Sequence, residues 1–393
     1  MLSDIPIAKS DGPIMTHSIN SHSINSHSIS SQSITTSVPT SVPTSVPRQG
    51  ADRADRTASL ARVLVTGGTG FIGKNLLNRL SLSESEVRVA VRTGGRSRLP
   101  ASSGMQIHEC SMHRLEDWLP LVDGVDTVIH LVGATAGTRE ELLDVNRDIT
   151  LGLGRACSQV SNPPRLIYVS SLSAAGPSRR FEPRTPGEPS RPISDYGRSK
   201  YEGELAALSV ANRVPTTILR PGIVFGPGDK EVVRLLDPIA RLGINPMAGF
   251  HDPRIAFVHV EDLIDAILAA AVRGRTCQGL EPHDHAGQGV YFVADREFIT
   301  FSQFARFAAS RLNCKRVWDL RIPLGIVQSV AWANELLGRL FGLRSTFNPD
   351  KIREARCAEW TCDGESAENE LGWSPAFRLE QRVHQFASMY RST

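Results

Sequence analysis

The sequence predicts an α/β fold built on a doubly wound parallel sheet. Short runs rich in β-branched residues alternate with helical patterns from Ala61 onward, and the chain of 393 residues is long enough for one large α/β unit. Parallel neighbours need crossover connections, and helical crossovers cover both faces of a sheet. The segments expected to form strands are Arg62–Thr66, Val87–Val91, Asp126–Leu131, Arg165–Ser170 and Thr216–Arg220.

Composition divides the chain into three regions. Residues 1–58 repeat His-Ser-Ile-Asn-Ser and then Ser-Val-Pro-Thr, which bury too little apolar surface to offset ordering entropy, so we expect a disordered extension. Residues 59–225 carry the regular strand and helix alternation of the sheet domain. Residues 226–393 are irregular and are expected to form a smaller C-terminal substrate-binding region, with elements near 255–275 returning to pack on the sheet domain.

Bulk properties limit the classes of partner. A net charge of +3 without a basic cluster argues against nucleic acid, and six scattered cysteines provide no metal-binding spacing, so no metal site is expected. No apolar run reaches the roughly 20 residues of a membrane span, and no secretory signal is recognisable, so we expect a cytoplasmic protein. The segment from Ile322 to Leu343 suggests an amphipathic helix on the domain, with membrane-surface contact as the alternative.

A glycine-rich turn follows the first predicted strand. Gly67, Gly70 and Gly73 stand in a Gly-x-x-Gly-x-x-Gly register at the junction of strand and helix, with Phe71 and Ile72 between the last two. Small residues permit a tight turn and a close backbone approach to a pyrophosphate, and the N–H groups of a helix N-terminus favour an anion. The turn therefore predicts a dinucleotide site in a Rossmann-type domain.

A tyrosine and a lysine stand four positions apart in a later helical segment. Tyr196 and Lys200 lie between Asp195 and Ala207, and this spacing brings both side chains onto one helix face. Interconversion of a carbonyl and an alcohol needs a group that gives or takes a proton. A nearby ammonium lowers the pKa of a phenol, which is about 10 in water. The pair therefore predicts proton transfer by Tyr196.

Further segments carry a family resemblance. In chain order they are His130-Leu131-Val132-Gly133, Val145-Asn146 with Thr150, Arg220-Pro221-Gly222 with Val224 and Phe225, and Phe257 to Asp262. With the motifs above, the sequence resembles the extended branch of the short-chain dehydrogenase/reductase superfamily, the NAD-dependent epimerase/dehydratase family. The closing segment around Trp360 and Trp373 looks most like its 3β-hydroxysteroid dehydrogenase and dihydroflavonol reductase members.

The resemblance implies roles for single residues. Ser171 matches the family's catalytic serine, which binds the substrate oxygen, although Ser170 and Ser173 are close competitors. Tyr196 and Lys200 complete the catalytic triad, and the lysine is also implied to bind the nicotinamide ribose. The residues implied to contact the cofactor are Gly67, Gly70, Phe71, Ile72, Gly73, Arg92, Leu131, Val132, Gly133, Tyr196, Lys200, Pro221 and Val224.

The end of the second predicted strand bears on the choice between NADP and NAD. Enzymes that prefer NAD place a carboxylate roughly 20 residues beyond the glycines. Here that position holds Val91, and Arg92, Arg96 and Arg98 follow. A guanidinium pairs well with a 2′-phosphate, so we expect NADP to be preferred and Arg92 to contact it. Solvated loop arginines, with NAD accepted as well, are the alternative.

Three functions agree with these observations. The leading hypothesis is an NAD(P)-dependent oxidoreductase that interconverts a secondary alcohol and a ketone on a hydrophobic, sterol-like small molecule. The first alternative is a nucleotide-sugar epimerase or dehydratase, which oxidises its substrate transiently without net cofactor use. The second is a non-catalytic dinucleotide-binding regulator, against which the intact Tyr196–Lys200 pair argues. Family members commonly form homodimers through long helices, here Glu140–Gln159 and Tyr196–Ala211.

Overall fold

Seven strands form one parallel sheet in the computed structural model. The structure describes residues 60–100, 104–312, 314, 316–329, 349–357 and 359–390. The strands of the chain are β1 (Arg62–Thr66), β2 (Glu86–Arg92), β3 (Gln106–Cys110), β4 (Thr127–His130), β5 (Arg165–Val169), β6 (Thr216–Pro221), β7 (Ile223–Phe225), β8 (Ile244–Ala248), β9 (Arg254–Ile255), β10 (Phe257–His259), β11 (Val290–Val293), β12 (Ile299–Thr300) and β13 (Trp318–Ile322). The large sheet has the order β11-β6-β5-β4-β1-β2-β3.

Helices connect these strands. They are α1 (Phe71–Leu80), α2 (Leu115–Val122), α3 (Arg139–Leu143), α4 (Ile149–Gln159), α5 (Leu172–Ala175), α6 (Asp195–Leu208), α7 (Glu231–Leu242), α8 (Val260–Arg273), α9 (Phe301–Arg311), α10 (Pro349–Ala355), α11 (Glu365–Leu371) and α12 (Leu379–Tyr390). A π-helical turn, Asp144–Asp148, joins α3 to α4.

Alternate side chains of the strands enter separate cores on opposite faces of the sheet. Val63 and Val65 of β1 pack with residues of α1 and α8, whereas Leu64 between them packs with residues of α2, α4 and α6. Strand side chains point alternately to the two faces, so both faces are buried under helices. This arrangement confirms the doubly wound parallel sheet that the sequence predicts.

The strand positions agree closely with the sequence. Arg62–Thr66 has the predicted bounds, and Val87–Val91 lies within β2. The seventh strand, Val290–Val293, pairs with β6 after a long irregular stretch, and the sequence analysis made no prediction for it. This strand lies in the C-terminal half of the chain but belongs to the large sheet. The division of the chain at residue 225 stays a prediction.

The remaining strands form small pairs in the C-terminal region. β7 pairs with β10 and β8 with β13 in parallel, and β9 pairs with β12 in antiparallel fashion. Their core is aromatic: Phe225 meets Phe257, Phe304 and Phe386 edge to face, with ring centroids 5.5–6.2 Å apart. β7 follows directly on β6 of the large sheet, so this core lies beside the sheet's carboxyl edge.

Two sequence predictions fall outside the described residues. These are the disordered extension, residues 1–58, and the part of the amphipathic helix beyond Ser329. Ile322, where that helix was expected to begin, instead ends β13. Within the described stretches, none of the helices combines the length and the apolarity that a bilayer span requires.

Candidate active site

The glycine turn runs from the end of β1 to the start of α1 and packs against the end of β4. Gly67 has a φ of 75°, and a Cβ atom there would lie 2.6 Å from the carbonyl carbon of Leu131. A Cβ atom at Gly73 would lie 2.3 Å from the oxygen of Gly67. Both positions therefore require glycine, as the interpretation of the turn assumed.

The start of α1 suits a phosphate group. Its N-cap is Gly70, which has no side chain to cap the helix, and the first turn contains no acidic residue. The first N–H groups of a helix have no partners within the helix and carry partial positive charge. Apart from the Gly67 oxygen at 3.3 Å, a Cβ atom at Gly70 would meet nothing within 4 Å, so the approach is open. These residues fit the pyrophosphate of a dinucleotide.

The other residues that we expect to contact the cofactor lie at the same edge of the sheet. Leu131, Val132 and Gly133 follow β4 directly, and Pro221 ends β6. A Cβ atom at Gly133 would lie 3.8 Å from the Lys200 ammonium, so this segment reaches the lysine. Val224 lies in β7, whose neighbour is β10. Carboxyl ends of parallel strands are the usual place for a ligand in such sheets.

At the end of β2, valine and arginine differ in exposure. The Val91 side chain is buried in the core, whereas Arg92 is exposed. Arg96 and Arg98 are exposed in the turn that follows. The Gly94 N–H of the connecting loop donates to the Glu109 carboxylate at 3.1 Å. Of these two side chains at the strand end, only that of Arg92 is therefore accessible from solvent.

Tyr196 lies in the first turn of α6, where this helix touches α5. A Cβ atom at Gly197 would lie 2.5 Å from the Ser173 oxygen, which shows how close the two helices are. A hydrogen-bonding interaction with the Ser171 side chain lowers the pKa of the Tyr196 phenol. The Ser170 hydroxyl points elsewhere and donates to the Glu204 carboxylate at 2.5 Å. Of the serines that the sequence left open, Ser171 is the one that acts on the pKa of the phenol, and its catalytic role stays a prediction.

The electrostatics of Tyr196 differ from the sequence expectation that Lys200 lowers its pKa. Burial raises the pKa of Tyr196 to about 12, and the hydrogen bond with Ser171 offsets only part of that rise. Lys200 donates to the Val169 oxygen at 2.9 Å, and its ammonium lies 4.4 Å from the centre of the Tyr168 ring. The ammonium is therefore engaged by β5, and the phenol stays protonated at neutral pH.

Lys200 is itself perturbed. Burial lowers its pKa to about 8, and the negative charge of Glu204 acts in the opposite direction. Glu204 lies one helical turn beyond Lys200 and forms a fully buried ion pair with Arg220, with Nη2 and Oε2 2.6 Å apart. The Ser170–Glu204–Arg220 cluster thus joins the strand before Ser171, the helix of Tyr196 and the strand that ends at Pro221.

A buried histidine lies beside the lysine. His130 shares hydrogen bonds with Thr66 at 2.6 Å and Thr150 at 3.0 Å. Burial lowers its pKa to about 3, and the Lys200 charge adds to the effect. His130 is therefore neutral and links β1 and β4 to α4. His259, by contrast, caps α8, with its Nδ1 accepting the Glu261 N–H at 3.3 Å.

Sequence reasoning did not find several residues of this site. Glu204 had a signal, because it continues the face of Tyr196 and Lys200 by one more helical turn. Asp350 and Glu354 had none, because they contact the start of α6 from α10, 154 and 160 residues away in the chain.

Comparison with known proteins identifies the family. The model of the NAD dependent epimerase/dehydratase family matches residues 63–279, more than half of the chain. The chain belongs to this family. Its matched segment contains the glycine turn, Ser171, Tyr196 and Lys200.

Curated relatives of this chain are named for different activities. UDP-glucose 4-epimerase of Vibrio cholerae is 27% identical over 84% of this chain and 95% of its own length. The 3 beta-hydroxysteroid dehydrogenase/Delta 5-->4-isomerase of Mycobacterium tuberculosis is also 27% identical, over 86% of this chain and 93% of its own. The two matches are equally close in identity, so identity alone does not select between sugar and steroid chemistry.

A solved structure supports the fold. dTDP-glucose 4,6-dehydratase from Bacillus anthracis, in complex with NAD, aligns with a TM-score of 0.66 at 17% identity, over 85% of this chain and 97% of that one. The family and these relatives agree with the expected membership of the extended short-chain dehydrogenase/reductase superfamily.

Proposed function

We propose that this protein is an NAD(P)-dependent oxidoreductase that interconverts a secondary alcohol and a ketone. The observation that supports the proposal is that α5, which Ser171 caps, packs against the first turn of α6 at Tyr196, with Lys200 one turn further on the same helix. A bound nicotinamide supplies or accepts the hydride in such a reaction. A pure dinucleotide-binding regulator does not need this pair.

Ser171 and Tyr196 act at the reacting oxygen. The Ser171 hydroxyl binds and orients the carbonyl oxygen, and the Tyr196 phenol donates the proton that turns it into an alcohol. Because burial raises the pKa of Tyr196 to about 12, the protonated form is ready for reduction at neutral pH. Oxidation needs the phenolate and is therefore favoured at alkaline pH. Lys200 supplies a cation beneath the site and a donor for the nicotinamide ribose.

We propose that the cofactor binds along the carboxyl edge of the sheet and that NADP is preferred over NAD. Gly70 would leave room for the pyrophosphate and the N–H groups of Phe71 and Ile72 would hold it, while Leu131 to Gly133, Pro221 and Val224 would line the path of the cofactor. Exposed Arg92 supports the preference, because a guanidinium at the end of β2 pairs with a 2′-phosphate.

We propose a neutral, largely hydrophobic hydroxy compound as the substrate. The charges of Glu354 and Glu231 are close enough to raise the pKa of Tyr196. Carboxylates beside the reacting oxygen disfavour a substrate that carries a diphosphate nearby. The relative named as a 3β-hydroxysteroid dehydrogenase agrees with this choice. A nucleotide-sugar epimerase or dehydratase is the second candidate, because an equally identical relative carries that name.

One absorbance experiment separates the two candidates. The purified protein is incubated either with NADPH and a panel of neutral steroid and flavonoid ketones or with NAD+ and UDP-glucose, and the reduced-nicotinamide band is followed. An oxidoreductase lowers this absorbance with a ketone. Conversion of UDP-glucose to its epimer with no net change in absorbance would refute the proposal. We further expect a cytoplasmic homodimer that pairs the stretch from α3 to α4 and the helix α6, which ends at Leu208 and not at Ala211 as the sequence suggested.

A further inference from the structure

The N-terminus of the catalytic helix α6 is capped by a distant part of the chain. The Asp350 carboxylate of α10 accepts the backbone N–H of Asp195 at 2.9 Å and that of Tyr196 at 3.1 Å. The first N–H groups of a helix have no partners within the helix, and a carboxylate is favoured there by the helix dipole. Asp350 therefore holds the backbone of Tyr196 itself.

Glu354 contacts the same cap through Ser194. Ser194 is the N-cap residue of α6, and its hydroxyl oxygen accepts the Gly197 N–H at 2.9 Å. The same hydroxyl donates to the Glu354 carboxylate at 2.7 Å. The Arg353 guanidinium contacts two carboxylates, with Nη1 2.8 Å from Asp350 and 3.9 Å from Asp195. Asp350 and Glu354 are one helical turn apart, so the same face of α10 provides both contacts to the start of α6.

The chain that follows α10 is attached to the C-terminal region. The Trp360 indole donates to the Glu354 backbone oxygen at 2.9 Å. Both backbone groups of Trp360 are also hydrogen-bonded. The Trp360 N–H donates to the Arg254 backbone oxygen at 2.9 Å, and the Trp360 backbone oxygen accepts the Ala256 N–H at 2.7 Å. The position of α10 is therefore coupled to β9 and not set by α6 alone.

We propose that Asp350 and Glu354 are positioning residues for Tyr196, which hold the start of the catalytic helix against the C-terminal region, and that Glu354 also places a negative charge near the phenol. They act through the helix backbone, Ser194 and their charge. The inference rests on the proposed role of Tyr196 as the proton-transferring residue.

The charges around the phenol give the proposal a measurable consequence. Burial has the largest effect on the pKa of Tyr196, the Ser171 hydrogen bond lowers the pKa, and Glu354 and Glu231 raise it. The charged or titratable groups on the elements around Tyr196 are Tyr168 of β5, Asp195 and Lys200 of α6, Glu231 of α7, and Asp350, Arg353 and Glu354 of α10. Removing the charge of Glu354 therefore lowers the pKa of Tyr196.

The test follows Tyr196 ionisation without substrate. The full chain is prepared with 3-fluorotyrosine, whose phenol ionises at lower pH than tyrosine, and the fluorine signal of Tyr196 is assigned by its loss in Tyr196→Phe. The chain contains 5 tyrosines, so the spectrum is simple. We expect Glu354→Gln to lower the midpoint by about 0.5 pH units or more.

The matched control is Glu380→Gln, which removes a half-exposed carboxylate next to His384 on the last helix. Equal midpoints in the Glu354→Gln and Glu380→Gln proteins would overturn the proposal. We also expect Asp350→Ala to speed hydrogen exchange at the Asp195 and Tyr196 amides by about fivefold, because the loss of a cap costs about 1 kcal/mol. Unchanged exchange there would overturn the proposed positioning by Asp350. Neither readout needs turnover, so its result is independent of whether the proposed reaction is correct.

Discussion

Replacing Glu204 by glutamine is expected to destabilise the protein strongly. The side chains of Glu204 and Arg220 are both 0% exposed, and the carboxylate accepts from Nε at 2.9 Å and from Nη2 at 2.6 Å. Removing one partner of a buried ion pair leaves an uncompensated charge and costs about 3–5 kcal/mol. Arg220 already has one buried nitrogen, Nη1, without a hydrogen-bond partner among the described residues. Losing the carboxylate would therefore leave still more of the guanidinium unsatisfied.

Urea denaturation measures this cost directly. The free energy of unfolding is compared for the unaltered chain, Glu204→Gln, and Glu204→Gln combined with Arg220→Met. We expect the double variant to be more stable than the single one, because removing both charges leaves neither unpaired. The control is Glu368→Gln, whose partner Arg296 is 66% exposed, with an expected loss of at most about 1 kcal/mol. A loss from Glu204→Gln no larger than that of the control would refute the reasoning.

Two further predictions concern acid stability and cofactor choice. Burial lowers the pKa of His130 to about 3, so below pH 6.5 the unfolded chain binds a proton that the folded chain does not. The free energy of unfolding should decrease by about 1.4 kcal/mol for each unit by which the pH is lowered between about pH 6 and pH 4. His130→Asn should remove this part of the slope in denaturation series, and equal slopes would contradict it. Arg92→Ala should weaken NADPH binding about tenfold more than NADH binding in fluorescence titrations. The control is exposed Arg114→Ala, and equal or tighter NADH binding by the unaltered protein would contradict the preference.

Local patterns explain why much of the fold could be predicted from the sequence. Strand β1 and the glycine turn lie next to each other in the chain, and Tyr196 and Lys200 are one helical turn apart. The strand Val290–Val293 could not be predicted in the same way, because it follows a stretch without regular alternation and gains its place by pairing with β6.

The surroundings of Tyr196 depend on contacts between distant segments. The sequence indicated that Lys200 lies beside Tyr196, but not that the ammonium turns to Val169. It gave no sign that Asp350 caps α6, because no local pattern connects positions 154 residues apart. The raised pKa of Tyr196 follows from burial, which only the assembled fold determines. Residue identities therefore predicted that Tyr196 and Lys200 share one helix face, but not the electrostatics of the phenol.

The most direct test of the central claim is turnover and cofactor binding in Tyr196→Phe. This change removes the transferable proton and keeps the ring, so we expect ketone reduction to be lost while NADPH binds with unchanged affinity. Lys200→Ala serves as the comparison and should weaken both, because the lysine is proposed to contact the ribose. NADPH-dependent reduction at the unaltered rate in the Tyr196→Phe protein would contradict the account.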